Sequence, residues 1–303
     1  MRRLLIVYNP RSSRATDVKN EVLAPARELT GFMVGKYEIE KTDVDQNAAK
    51  FAKILKDGDM VLAAGGDATA VIAVNAILKS GKDVELAVLP YGNFNDLART
   101  LGTKKISTVF KKENKAKKLY PLEIFVDGKF IRYATCYVTM GMTAEAVKLY
   151  DEAKMRKVLK KSIGRYVGSY THLMGWYFRN RHKKCFLPEF KLNGIKQHKK
   201  TSDYAAVNGR SMARVMKGGE DWMDAKVFRS ETDRLTNFWR LFKLMAKSIF
   251  VQIPGSSTKG DVLEFIEPGR VEIQAEGESL AFENMKKIEI RKADKWVKVI
   301  VNS

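Results

Sequence analysis

Apolar residues recur with two different periods along the chain, and the change comes near residue 120. Before it, short apolar runs alternate with stretches whose apolar positions return every three to four residues. Residues 4–8 read as a strand, and residues 17–29 as a helix that Pro25 interrupts or restarts. Residues 36–40 form a further strand, and 46–55 a helix with Ala48, Phe51, Ala52 and Leu55 on one face. Residues 60–63 and 84–89 are unbroken apolar runs, the pattern of strands covered on both faces of a parallel sheet.

Beyond residue 120 the pattern turns to strand and hairpin. Residues 122–126 and 130–137 flank Asp127-Gly128, and 183–192 and 195–201 flank Asn193-Gly194; both dipeptides suit tight two-residue turns. Further strands are expected at 204–207, 225–229, 262–266, 271–275, 286–291 and 296–301, with helices at 142–159, 166–179 and 235–246. The fold class is therefore α/β plus β: an N-terminal α/β domain at 1–121 with a mostly parallel sheet, then an antiparallel β-sandwich at 122–285. Residues 286–303 are expected to pack back on the N-terminal domain. The basic start and apolar residues 4–7 imitate a secretory leader, but Asn9-Pro10 ends the run too early. Residues 60–78 have membrane-span length, yet Gly65-Gly66-Asp67 in their middle fits strand, turn and helix better.

Composition adds one outlier. The 303 residues are 45% hydrophobic and 30% charged, ordinary for a globular chain, but 55 basic against 35 acidic residues give a formal charge of +20. Such an excess favours a polyanionic partner: nucleic acid, nucleotide or anionic membrane. Cys136 and Cys185 are the only cysteines, which points to a reducing cytosol rather than a disulfide framework. His172, His182 and His198 lack metal-binding spacing, and neither a Walker A loop nor a GxSxG elbow is present.

Chemistry gathers where predicted strands end. Gly65-Gly66-Asp67-Ala68-Thr69 joins the strand at 60–63 to a helix at 69–78 that stops at Gly81. Residues without a Cβ let phosphate approach the backbone, and the helix start offers N–H donors and a positive dipole end. Thr69 suits a cap or a phosphate contact. An aspartate there would repel phosphate unless Asp67 holds a metal-bound water, another donor or a helix N-terminus. Pro90-Tyr91-Gly92-Asn93-Phe94-Asn95-Asp96 follows the strand at 84–89, with Asn95 or Asp96 expected to cap a helix at 97–101. Asn9-Pro10-Arg11-Ser12-Ser13 forms a third such loop. Three polar loops at the carboxyl edge of one parallel sheet mark a ligand site.

Gly65-Gly66-Asp67-x-Thr69 with Asn75, then Pro90-x-Gly92-x-x-Asn95-Asp96-x-Ala98-Arg99-x-Leu101-Gly102, resembles the catalytic domain of the diacylglycerol kinase and bacterial lipid kinase family, which includes sphingosine and ceramide kinases. Asn9-Pro10-x-Ser12 matches that family's first loop, and Ala275-Glu276-Gly277-Glu278 is similar to its Asp-Gly-Glu element. Ala68 stands at the family's third glycine, Asn93-Phe94 at a usual Thr-Gly, and Glu276 at the Asp. The resemblance implies ATP- and Mg2+-dependent phosphorylation of a lipid hydroxyl such as diacylglycerol's, in a cleft between the two domains. It implies nucleotide contacts from Asn9, Pro10, Ser12, Thr42, Gly65, Gly66, Asp67, Ala68, Thr69, Gly92, Asn93 and Asn95. Glu278 would be the general base, Asp67 and Asp96 would support the phosphates, and Asp221 would hold the metal.

Seven lysines between Lys104 and Lys118 face one acidic residue, Glu113. Together with the aromatic-rich stretch at 166–179, they suit a cytoplasmic protein docking peripherally on the anionic inner face of a membrane. Nucleic acid ranks behind, because no recognition module is present. A catalytically degenerate lipid- or nucleotide-binding relative and a NAD kinase-like enzyme are the alternatives, and a homodimer stays open.

Overall fold

A computed structural model of the chain describes residues 1–41, 43–141, 144, 175, 190–197, 203–212, 216–217, 227–232, 253–254 and 256–302. Thr42, Asp221 and the helices expected at 142–159, 166–179 and 235–246 lie outside the described residues, Ala144 and Gly175 apart.

The chain opens with β1 (Arg2–Tyr8) and a helical segment in three pieces: α1 (Ala15–Val18), a π-helical turn at Lys19–Leu23, and α2 (Ala24–Ala26). Pro25 lies in the first turn of α2, where a missing N–H matters least, so it restarts the helix. Then follow β2 (Phe32–Glu38), α3 (Val44–Ala52), β3 (Met60–Gly65), α4 (Asp67–Ser80), β4 (Glu85–Pro90), α5 (Asp96–Leu101), α6 (Ile106–Val109) and β5 (Lys115–Leu119). Gly81 closes α4 in the left-handed conformation, as its sequence position implies.

The second half contains β6 (Leu122–Val126), β7 (Lys129–Ala134), β8 (Tyr137–Gly141), β9 (Phe190–Leu192), β10 (Ile195–Gln197), β11 (Asp203–Val207), β12 (Ser211–Met212), β13 (Met216–Lys217), β14 (Val227–Thr232), β15 (Ile253–Pro254), β16 (Ser256–Gly260), β17 (Val262–Ala275), β18 (Glu278–Lys292) and β19 (Val297–Val301). Both expected turns are present, with positive φ at Asp127, Gly128, Asn193 and Gly194.

Two large sheets result. The first has the order β2-β1-β3-β4-β19-β5 and is parallel except for β5, which runs antiparallel to β19. The second, antiparallel, follows β16-β14-β11-β8-β17-β18-β6-β7, with β9 and β10 attached through β17. Near its start, β17 pairs with β9 through Leu263 to Phe265, and near its end with β8 through Ile273 to Ala275. Between them, register shifts at Ile266, Gly269 and Val271 bend the strand, so one ribbon serves two layers. The sequence split this strand in two at Pro268-Gly269. The run expected at 130–137 instead breaks into β7 and β8 at Thr135-Cys136.

Helix α4 lies between the sheets. Every residue from Thr69 to Leu78 is buried, which explains why this stretch reads as apolar all round. One continuous core joins Val7, Val61 and Val88 of the parallel sheet to Val74 and Ile77 of α4, and on to Tyr133, Tyr137 and Val207. Asn75 is the polar exception inside it. Its Nδ2 donates to the Tyr133 carbonyl at 2.9 Å, and its Oδ1 accepts the Tyr133 N–H at 2.9 Å, so a side-chain amide pairs with β7 as a strand would.

Two strands carry the chain across. β18 runs unbroken through residue 286 within the antiparallel sheet, and β19 then enters the parallel sheet between β4 and β5. Among the described residues, no helix is long and apolar enough to cross a membrane.

Candidate functional site

In the parallel sheet, β1 leads to β2 on one side while β3 lies on its other, so the crevice between β1 and β3 is the switch point where open α/β sheets take ligands. The loops after β1, β3 and β4 all open at this edge.

The loops after β3 and β4 are packed into one unit. A Cβ on Gly66 would sit 3.2 Å from Gly92 Cα; one on Gly92 would overlap Gly66 Cα and lie 2.9 Å from Asn95 Oδ1. A Cβ on Gly65 would collide with the Thr69 side chain. None of the three has positive φ, so it is space, not backbone conformation, that requires glycine here. Ala68, in the family's third glycine position, is an exposed, helical residue of the first turn of α4, and its Cβ meets no backbone penalty.

Asp67 fastens the unit. Its Oδ2 accepts the Asn95 N–H at 3.0 Å and its Oδ1 the Asp96 N–H at 2.7 Å. Of the roles open to it from the sequence, the structure shows a helix N-terminus, that of α5 rather than of its own helix. Asn95 occupies the N-cap of α5 in a left-handed conformation, but its Oδ1 accepts from Gly92 N at 2.7 Å instead of capping the helix. Asp96 is fully buried and accepts from Arg99 at 3.3 Å. Burial first, and the nearby Asp96 charge second, raise the Asp67 carboxyl to about 6.

Asn9 and Ser12 shape the first loop. Asn9 Oδ1 accepts the Arg11 N–H at 3.0 Å, and the Asn9 carbonyl accepts the Ser12 N–H at 3.1 Å. Sequence reasoning passed over Arg14, whose Nη1 donates to the Pro90 carbonyl at 3.1 Å while its guanidinium lies 4.8 Å from the centre of the Tyr91 ring. It ties the first loop to the third. Pro10 and Gly92 are half-buried at this edge, and Asn93 is exposed.

The β17–β18 turn brings a second acid that the residue assignments missed. Glu276 and Gly277 both have positive φ, a conformation that hairpins ordinarily give to Asn or Asp before Gly. The Glu276 side chain holds it there: Oε1 accepts from the Cys136 N–H and the Thr135 hydroxyl, which is where β7 and β8 break. Among the described residues its Oε2 is buried without a hydrogen-bond partner. Burial drives this carboxyl up to about 8, and the charges of Asp67 and Asp96 push it the same way. Thus Asp67, Asp96 and Glu276 form one acidic neighbourhood. Glu278, the expected base, is paired elsewhere: its Oε2 accepts from Arg132 Nη1 at 2.5 Å.

Among the described residues, no three His, Cys, Asp or Glu side chains are placed to hold a metal ion, and both Asp67 oxygens already accept peptide N–H groups. The described donors therefore do not make a metal site by themselves.

Residues 3–120 match the diacylglycerol kinase catalytic domain. Over this segment the chain is similar to the diacylglycerol kinase catalytic domain. It is similar to a diacylglycerol kinase of Bacillus subtilis (strain 168), 36% identical over 104 residues, or 34% of each chain. A diacylglycerol kinase of Staphylococcus carnosus (strain TM300) is 32% identical over 102 residues, 33% of each chain. The match thus spans about a third of the length of these relatives. In fold the similarity runs further: a diacylglycerol kinase structure from Bacillus anthracis str. Sterne superposes with TM-score 0.62 over 99% of this chain and 97% of that one, at 14% identity. A putative diacylglycerol kinase from the same source gives 0.65 over the same shares, at 18% identity. The matched segment contains Asp67, Asp96 and all three loops, while Glu276 and Glu278 come from beyond it.

Proposed function

We propose that the protein is a lipid kinase that transfers the γ-phosphoryl group of ATP, carried as its Mg2+ complex, to a hydroxyl of a lipid such as diacylglycerol. The observation that carries this reading is the fused loop pair, in which Asp67 caps α5 and Gly66 meets Gly92 at the sheet's switch point. Phosphoryl transfer requires positioning and neutralised charge more than covalent chemistry. Residues 1–121 hold nucleotide, with Asn9, Ser12, Gly66 and Thr69 around the phosphates, and 122–285 take the lipid. Glu278 accepts the hydroxyl proton as that oxygen bonds to the γ-phosphorus and the bond to the β–γ bridging oxygen breaks, releasing ADP. A positioned base of this kind contributes about 10²–10⁴-fold. Residue 221 is assigned to the metal that accompanies the nucleotide.

All seven lysines from Lys104 to Lys118 are exposed, and we assign them to an anionic membrane surface from the cytoplasmic side. The test is transfer of labelled phosphate from ATP with Mg2+ to vesicles of diacylglycerol and phosphatidylglycerol. Labelled phosphatidic acid is expected. Sedimentation with the vesicles but no transfer would replace the kinase with a lipid-binding relative.

A further inference from the structure

Arg132 is almost completely buried on β7, yet it is spent on two carboxylates that are each partly open to solvent. Nη1 meets Glu278 Oε2 at 2.5 Å and Nη2 meets Asp45 Oδ2 at 2.6 Å, so one guanidinium bridges the first turn of α3, beside the parallel sheet, and the first residue of β18 in the antiparallel sheet. Its Nε is buried without a hydrogen-bond partner among the described residues. Glu278 is thereby held by one oxygen, while Oε1 makes no hydrogen bond among the described residues and the side chain is 35% exposed.

We propose that Arg132 is the positioning residue of the phosphotransfer site, gripping Glu278 by Oε2 so that Oε1 is presented, ionised, to the acceptor hydroxyl. This rests on Glu278 being the base. A carboxylate whose two oxygens are equivalent in solution becomes a one-sided acceptor when a planar fork fixes one of them, the same logic by which a third group orients the base of a nucleophile. Lysine, a point donor, cannot span both carboxylates.

The charge around Glu278 gives the proposal two opposite signs. Burial raises its carboxyl, Arg132 on β7 lowers it, and Asp45 and Asp43 at the start of α3 raise it. Removing Arg132 should therefore keep Glu278 protonated to higher pH, whereas removing Asp45 should free it to ionise at lower pH and leave the guanidinium to Glu278 alone. Asp45 is half-exposed, so Asp45→Asn leaves the core untouched.

The experiment is the pH profile of kcat/KM on the same diacylglycerol and phosphatidylglycerol vesicles. In Arg132→Gln the acid limb should move up by about one to three pH units, with the deficit largest at low pH, as for loss of an opposite charge at contact. In Asp45→Asn the limb should move down. Arg132→Lys should recover part of the position of the limb but not the full rate. An unmoved or raised limb in Asp45→Asn overturns the proposal even if Arg132→Gln does not fold; so does an unmoved limb in a folded Arg132→Gln. Glu278→Gln separates the two readings. If it keeps wild-type rates, the assignment of the base has failed; if it is inactive while the other profiles match wild type, only the role of Arg132 has.

Discussion

Gly66 and Gly92 touch backbone to backbone, and a Cβ on either would crowd the Cα of the other. The two tolerate a methyl unequally. On Gly66 it would meet Gly92 Cα at 3.2 Å, which a shift of a few tenths of an ångström relieves, whereas on Gly92 it would overlap Gly66 Cα and press on Asn95 Oδ1. Gly92→Ala should destabilise the fold by about 1–3 kcal/mol, as overpacking does, and Gly66→Ala by less. Urea midpoints of the two variants check the order.

Asp67 supplies the cap that the loop's own Asn95 does not. Loss of an N-cap acceptor costs about 0.5–2 kcal/mol, so Asp67→Ala should lose stability in that range and lose phosphotransfer with it. Its carboxyl titrates near 6 in the folded protein, above the usual aspartate range. A raised carboxyl favours the folded state most at low pH, and that advantage disappears as pH rises through the folded value. Asp67→Asn should flatten the fall in melting temperature between about pH 4 and pH 6; an unchanged slope there would count against this account.

Glu276 extends the same effect to higher pH. With its carboxyl raised to about 8, the folded state keeps a proton that the unfolded chain releases near the ordinary glutamate value. Stability should therefore decline as pH rises toward 8, and Glu276→Gln should remove the part of the decline above pH 6. Gln keeps an Oε1 acceptor for Thr135 and Cys136, so a collapse of the fold in this variant would contradict the bonding described.

Asn75 joins α4 to β7 through both backbone groups of Tyr133. Asn75→Leu strands a buried N–H and a buried carbonyl, each costing about 1–3 kcal/mol when left unpaired. A loss of about 2 kcal/mol or more in denaturant unfolding is expected; a near-neutral result would show that the amide is not what holds α4 to β7.

The parts of this architecture written in local pattern were legible in the sequence: the buried runs of β3 and β4, the Gly81 stop, and the Asp127-Gly128 and Asn193-Gly194 turns. The three loops could be placed on one edge because parallel topology puts them there. What escaped notice depends on partners far along the chain. Arg132 meets Glu278 across 146 positions and Glu276 meets Cys136 across 140, and no periodicity encodes such meetings. The break at Thr135-Cys136 was invisible for that reason: its residues suit a strand, and it is a distant carboxylate that takes the N–H a strand would use. The capping of α5 was misread on similar grounds, because Asn95 looks like a cap until Asp67 is brought beside it.

The position of β19 bears on the order in which the molecule can be completed. It lies between β4 and β5 in the sheet but follows β18 in the chain, and among the described residues β5 pairs with β19 alone. Asn302, just after it, donates to the carbonyls of Leu101 and Gly102 at the end of α5, the helix whose beginning Asp67 caps. During synthesis, the parallel sheet therefore keeps an open strand edge until β19 is made, and Asn302 can bond the end of α5 only after the antiparallel strands before it are complete.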